Sequence, residues 1–322
     1  MGEDPVLSDM NARLLTSAAL AGMFTVILPA KAADPQLLNL VMPDATVLAG
    51  VNVDQAKTSP FGQYVLGQMQ NAELQQLANA TGFDPTRDVH EVLAAIGAVG
   101  SKSALALARG SFDAKRIGDA AAAKGGTTTE TYGSFTIIED QKQTHGVAIL
   151  SSTLAVAGDV ASVKAAIDRQ TATSSLPASV ITQVNQWSGS QDAWVISTVP
   201  PSSLQPTSGT PKIPGVGGGN ANNALQTIQQ AAGGVKFGDM VVVTAQAQSD
   251  NADDAKTIAG TIQLLASVAQ LQAQNAPELQ ALAQSLSVGT SGSTVNISFS
   301  MPAAQLQDML GRAHSNVRQH KK

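Results

Sequence analysis

Cysteine is absent from the chain, charged residues make up only 13% of it, and aromatics only 3%. The first absence excludes disulfides, thiolate nucleophiles, Cys-bearing zinc sites, Cys-ligated iron–sulfur clusters and lipid attachment through an N-terminal Cys. The second leaves a neutral, polar surface, because an average globular protein carries about 25% charged residues and here Ala, Gly, Ser, Thr and Gln fill the gap. A net charge of -5 and a pI near 5.3, with no Arg/Lys patch interleaved with aromatics, give no field that gathers phosphate backbones. Nucleic acid is therefore not an expected partner. Histidine is scarce too, at His90, His145, His314 and His320.

A chain of 322 residues suffices for two ordinary domains or one large one. Its N-terminus reads as a signal peptide over 1–32. Met10-Asn11-Ala12-Arg13 leads into the apolar run LLTSAALAGMFTVILP (14–29), and Ala30-Lys31-Ala32 is a small-x-small cleavage pattern, so the mature chain is expected to begin at Ala33. The acidic groups Glu3, Asp4 and Asp9 ahead of Arg13 point to translation starting at Met10. The uncharged run is shorter than the ~20 residues that cross a bilayer, so no transmembrane span is expected in the mature chain. These features predict a secreted or periplasmic bacterial protein that folds without disulfides.

Apolar periodicity then sets out two halves. In 33–175, strands are expected at 46–53, 92–99, 103–110, 127–139, 145–151 and 153–157. Helices are expected at 59–80, after Asp113, and after Gly158-Asp159. In 176–313 the pattern begins again: strand 192–199, helix 221–232, strand or strands over 235–248, a helix to about 275, a helical piece from Pro277, strands over 286–300, and a closing helix at 302–312. SALALARGSFDAKRIGDAAAA matches MVVVTAQAQSDNADDAKTIAG in pattern, and TLAVAGDVASVKAAIDR matches VNISFSMPAAQLQDMLGR. The expected fold is α+β, two tandem pattern-related modules of mostly antiparallel sheet with helices on one face. A Pro/Gly loop over 200–220 is expected to be mobile, and 314–322 to be a basic tail.

Five stretches carry residue types that could serve chemistry. FDPTRDVHEVL (83–93) gathers Asp84, Arg87, Asp88, His90 and Glu91, and His90-Glu91 opens like a zinc-protease signature. The second His is missing, however, since Ala94 stands at i+4. The stretch reads as a capped turn with solvated charges. Gly215-Val216-Gly217-Gly218-Gly219-Asn220 follows prolines rather than a strand and lacks the Lys-Ser/Thr of a phosphate loop. Gly289-Thr290-Ser291-Gly292-Ser293 is not a nucleophile elbow, because the second glycine comes one place early. The carboxylate pairs Glu139-Asp140 and Asp253-Asp254 are sequence neighbours, which do not converge on a substrate from two sides; the second suits a helix N-terminus. No catalytic, cofactor-binding or metal-binding residue is assigned, and no cofactor. The helix over 257–277 contains no charged residue; it reads as a core helix with a neutral outer face, or as one that covers a partner or ligand.

LLNLVMPDATVLAGVNV, the downstream FDPTRDV and the run TLAVAGDVASVKAAIDR resemble uncharacterised exported bacterial proteins built from similar α+β modules, over about 37–170. That resemblance implies architecture and export, and no activity. The reading is a non-catalytic binding or structural protein of the cell envelope, partnered by an unknown protein or a small apolar ligand. A carrier of an apolar ligand is the first alternative and a hydrolase with a dispersed site the second. An exposed apolar groove would favour the carrier; converging Ser, His145 and acid side chains would favour the hydrolase.

Overall fold

The computed structural model describes residues 32–69, 75, 78–79, 81–172, 174, 176–204, 226–272 and 277–319. The expected signal peptide, apart from Ala32, lies outside the described residues, as does 205–220 of the expected loop. From Ala32 onward the chain clusters as one unit. Its frame is a twelve-stranded, wholly antiparallel sheet with spatial order β11-β12-β10-β9-β8-β1-β2-β3-β7-β6-β5-β4.

The chain begins with α1 (Pro35–Leu40), whose Asp34 accepts a capping bond from Gln36 N, and then enters β1 (Val47–Asn52). Two helices follow, α2 (Val53–Thr58) and α3 (Pro60–Met69). A single turn, α4 (Pro85–Asp88), leads to β2 (Val89–Ile96) and β3 (Ala104–Gly110). Helix α5 (Ala114–Lys124) crosses to the sheet edge, and β4 (Thr127–Tyr132), β5 (Phe135–Asp140), β6 (His145–Ser151) and β7 (Leu154–Asp159) meander back to pair with β3. Helices α6 (Val160–Arg169) and α7 (Ala178–Ser190) precede β8 (Ala193–Ser197), which pairs with β1 and so continues the same sheet.

The second half runs β9 (Ile228–Lys236), β10 (Met240–Ser249), α8 (Ala252–Gln272), α9 (Pro277–Ser285), β11 (Ser287–Ser291), β12 (Thr294–Pro302) and α10 (Ala303–Gln319). Both halves obey one strand order read outward from the centre. Strands β1-β2-β3 correspond to β8-β9-β10, helix α5 to α8, and the returning β6-β7 to β11-β12; the β4-β5 hairpin is extra in the first half.

The α+β class and the antiparallel sheet agree with the sequence reading. Three expectations need correction. The two halves do not carry separate sheets, since β1 and β8 pair from Val47↔Ser197 to Val51↔Ala193 across the expected boundary at 175–176. Helices lie on both faces rather than one. And the helix expected over 221–232 gives way from Ile228 to strand β9, because pairing with both β8 and β10 outweighs the helix propensity of an Ala/Gln-rich run. In addition, α10 runs to Gln319, through part of the expected tail.

Registers separate the faces. On one, Leu48, Leu93, Leu107, Val156 and Ile196 are essentially inaccessible to solvent, covered by α1, α6 and α7 through Leu37, Val163 and Trp187. On the other, the second half is sealed by α8, with Ala255, Ile258 and Ala259 on Ala247 and Val295. Phe61 of α3 and Ala303 of α10 complete that seal over Val241. At about 25 cal/mol per Å² of apolar area removed from water, such burial is the main stabilising term.

Candidate apolar groove

The FDPTRDV stretch folds as a local cap. Asp84 accepts from Thr86 N at 2.9 Å and from the Thr86 hydroxyl at 2.7 Å, which holds its carboxyl below the ordinary range. Pro85 occupies the first helical position, where its missing N–H costs nothing. Arg87 and Asp88 pair with each other at 2.7 Å. His90 points to Asp54, with Nδ1 at 2.9 and 3.1 Å from its two oxygens. Burial raises the Asp54 carboxyl, but the bonds to His90 and Lys57 outweigh it and leave it lowered. Glu91 instead accepts from Asp34 N at 3.2 Å. Asp84, Arg87 and Asp88 thus stabilise the turn itself, while His90 and Glu91 tie it to distant segments of the chain.

His145 sits beside Thr144 and Asp140, a hydroxyl–imidazole–carboxylate set. The same ring nitrogen, Nδ1, faces Thr144 Oγ1 at 3.0 Å and Asp140 Oδ2 at 3.4 Å, and the Thr144 hydroxyl lies 2.7 Å from Asp140. With both partners on one nitrogen, no path carries a proton from the hydroxyl across the ring to the carboxylate, as a triad requires. Bonds from Thr144 hold Asp140 at about 2. Glu139, by contrast, turns inward; burial and the neighbouring Glu130 push its carboxyl up. Asp253 and Asp254 lie in the first turn of α8, where Asn251 accepts from their backbone N–H groups at 3.0 and 2.9 Å. Gly292, at φ 57, makes the β11–β12 turn. The run 215–220 lies outside the described residues. Among the described residues no cluster of three or more His, Asp or Glu is placed to hold a metal ion.

The feature that stands out lies under α5. Asp113 caps this helix, accepting from Arg116 N at 3.0 Å, and Gly125 and Gly126, both at positive φ, end it. Just before the cap, Phe112 meets Phe83 at 5.6 Å between ring centroids. The C-terminal end of the helix is tied to the edge strand, because the Thr127 hydroxyl donates to Ala121 O at 3.1 Å. Between these points the helix spans the sheet face formed by Ala108, Ile138, Val147, Ile149 and Ala155, yet none of its described side chains is buried. The space between helix and sheet is a groove of about 1030 Å³, lined by Ile117, Ala120 and Ala121 above and aliphatic strand residues below. Arg116 and Asp119 are the charged groups on its rim. Arg116 forms no ion pair among the described residues, whereas Asp119 pairs with Lys115 at 2.7 Å.

A second, polar cleft of about 440 Å³ adjoins the first and shares Phe83, Phe112, Arg116 and Ile117 with it; Thr81, Ser111, Ser152 and Thr153 supply its hydroxyls. The groove was not legible in the sequence, because its lining comes from eight separate elements, α4, α5 and six strands. The one signal was α5 itself, a helix whose apolar face holds a single large residue, Ile117, among alanines.

No family model matches the chain, and no curated protein matches its sequence. Solved structures do. The chain is similar in fold to TP0453. Crystal form III of TP0453 aligns with a TM-score of 0.56 at 13% identity, covering 86% of this chain and 97% of that one. Crystal form IV gives 0.53 at 12% identity, and crystal form I gives 0.51 at 13%. Likeness to TP0453 at this identity establishes a related α+β fold and nothing about its ligands or partners. Among the described residues, no helix is long and apolar enough to cross a membrane.

Proposed function

We propose that this chain is an exported, non-catalytic binding protein that carries a small apolar ligand, held in the groove between α5 and the sheet. One observation carries the reading: the corresponding helix of the second half, α8, packs its apolar side chains directly on the sheet, while α5 leaves about 1030 Å³ of aliphatic-lined space. That volume lies at the upper end of small-molecule sites, which span roughly 300–1,000 Å³ and are mostly apolar with a few polar groups at one side. The Arg116 rim and the adjoining hydroxyl-lined cleft supply those groups. A long-chain fatty acid combines the required chain with one polar end.

Titration of the protein with a fluorescent fatty acid, followed by displacement with palmitate, tests the reading. One saturable site per chain is expected. Ala120→Phe places a ring in the groove from a half-buried, groove-lining position and is expected to weaken binding at least about tenfold, the equivalent of 1.4 kcal/mol, with the far-UV spectrum unchanged. Absence of saturable binding, or binding indifferent to Ala120→Phe, refutes it.

A further inference from the structure

On the opposite face, in the second half, lies a pocket of about 430 Å³ of a different character. Its floor is the sheet. The registers Thr244↔Ser298 and Gln246↔Asn296, continued by Ser287↔Ser298 and Gly289↔Asn296, bring these side chains to one face. Its wall is the C-terminal end of α7 with Gln191 just beyond, and Trp187 supplies its aromatic part. Gln191 lies flat on the sheet because position 234 is glycine: a Cβ there would meet the Gln191 Cγ at 2.4 Å. The lining contains no charged residue.

Hydrogen bonding within the pocket is incomplete. Gln246 Nε2 donates to Asn296 Oδ1 at 3.0 Å, which engages one atom of each amide and leaves the Gln246 acceptor and the Asn296 donor without a side-chain partner among the described residues. Among the described residues, Gln191 Oε1 and Thr244 Oγ1 are buried without a partner. A buried polar atom left unpaired loses its hydration without compensation, so an apolar occupant is disfavoured here. An ionic ligand would find no counter-charge. Amides and hydroxyls that both donate and accept match a ligand whose own groups do both, and that is the chemistry of sugar hydroxyls.

We propose that this pocket binds a small neutral saccharide. The site is independent of the apolar groove, which lies on the other face and in the other half.

Saturation-transfer NMR and calorimetry of the full chain with glucose, N-acetylglucosamine, maltose and cellobiose test it. At least one of these is expected to bind saturably, with a Kd tighter than about 10 mM. Asn296→Asp, which changes charge without changing volume, and Thr244→Val are each expected to weaken that binding by roughly tenfold or more while palmitate binding stays as in the parent protein. Far-UV circular dichroism on the same samples establishes that the variants are folded. If none of the four sugars binds, the pocket holds water only and the proposal is wrong. Binding that both folded variants retain at parental affinity places the sugar elsewhere and equally overturns it.

Discussion

The joint between β1 and β8 is where the two halves become one sheet, and Gly50 lies at its centre, opposite Trp194 on one side and Leu93 on the other. A Cβ at this position would lie 2.5 Å from Trp194 Cε2 and 2.6 Å from Cζ2 and Nε1. The indole is only 6% exposed and cannot simply swing into solvent. Gly50→Ala must therefore displace a packed ring, and overpacking of this kind costs about 1–3 kcal/mol. Unfolding entropy of about 2.1 cal/mol/K per residue makes each kcal/mol worth roughly 1.5 °C in a chain of this length, so a fall in Tm of about 2–5 °C is expected. Calorimetry should show one transition moving as a whole, with tryptophan fluorescence, which reports Trp187 and Trp194 at the joint, coincident with far-UV circular dichroism. Gly67→Ala is the control: nothing lies within 4 Å of a Cβ added there, and Ala suits a helix interior better than Gly. Two separate transitions, of which Gly50→Ala moves one only, would refute the reasoning and restore independent halves.

Three further outcomes are expected. Because the Glu139 carboxyl is raised in the folded state, its contribution to stability is fully present below the ordinary carboxylate range and is lost as pH rises through the raised value; urea unfolding from pH 4 to 8 should decline less for Glu139→Gln than for the parent. Asp140 is held at about 2 chiefly by the Thr144 hydroxyl, so its contribution is present above the ordinary value and lost as pH falls towards 2. Thr144→Val should move that titration upward in carbonyl-detected NMR. Ile258→Ala in α8, where the side chain is 1% exposed, should cost about 2–5 kcal/mol, whereas Ile117→Ala in α5 should cost less than half of that in denaturant titrations, since its side chain faces a groove rather than a packed core.

Much of the architecture was legible because strong local signals agreed with tertiary packing. Asp113 and Asp159 each follow a strand and cap a helix, and the structure uses both, with Arg116 N and Ser162 N as the donors. The alternation in TVNISFS and MVVVTAQAQ became β12 and β10. The differences from the structure are of three kinds. At 228–232 local propensity pointed to helix, and only the two neighbouring strands, invisible in sequence, decide for strand. Helix α7 was missed although Val180, Val184 and Trp187 stand at i, i+4 and i+7, a signal hidden because Ser, Thr, Asn and Gln surround it. The single sheet was illegible for a physical reason: the pairing that makes it joins residue 47 to residue 197, and no local pattern encodes so distant a register. The groove was illegible for the same reason, while the absence of a second His beside His90 was readable at once.

The contrast between α5 and α8 suggests how the groove persists. Both helices follow a third strand and cross to the outer edge of their half, so the connection imposes comparable placements on them. Helix α8 fills the gap with Ile258 and Ile262, and the space closes into a core. Helix α5 offers Ile117 and alanines, which are too short to reach the sheet unless the helix sinks towards it. The Phe83–Phe112 pair lines the groove near the start of the helix, and the tie from Thr127 to Ala121 fixes its far end to the edge strand. The extra β4-β5 hairpin, absent from the second half, broadens the sheet at this point and moves that tie outward. Small side chains on the helix, together with a tie at its far end, thus leave an aliphatic-lined space where α8 builds a core.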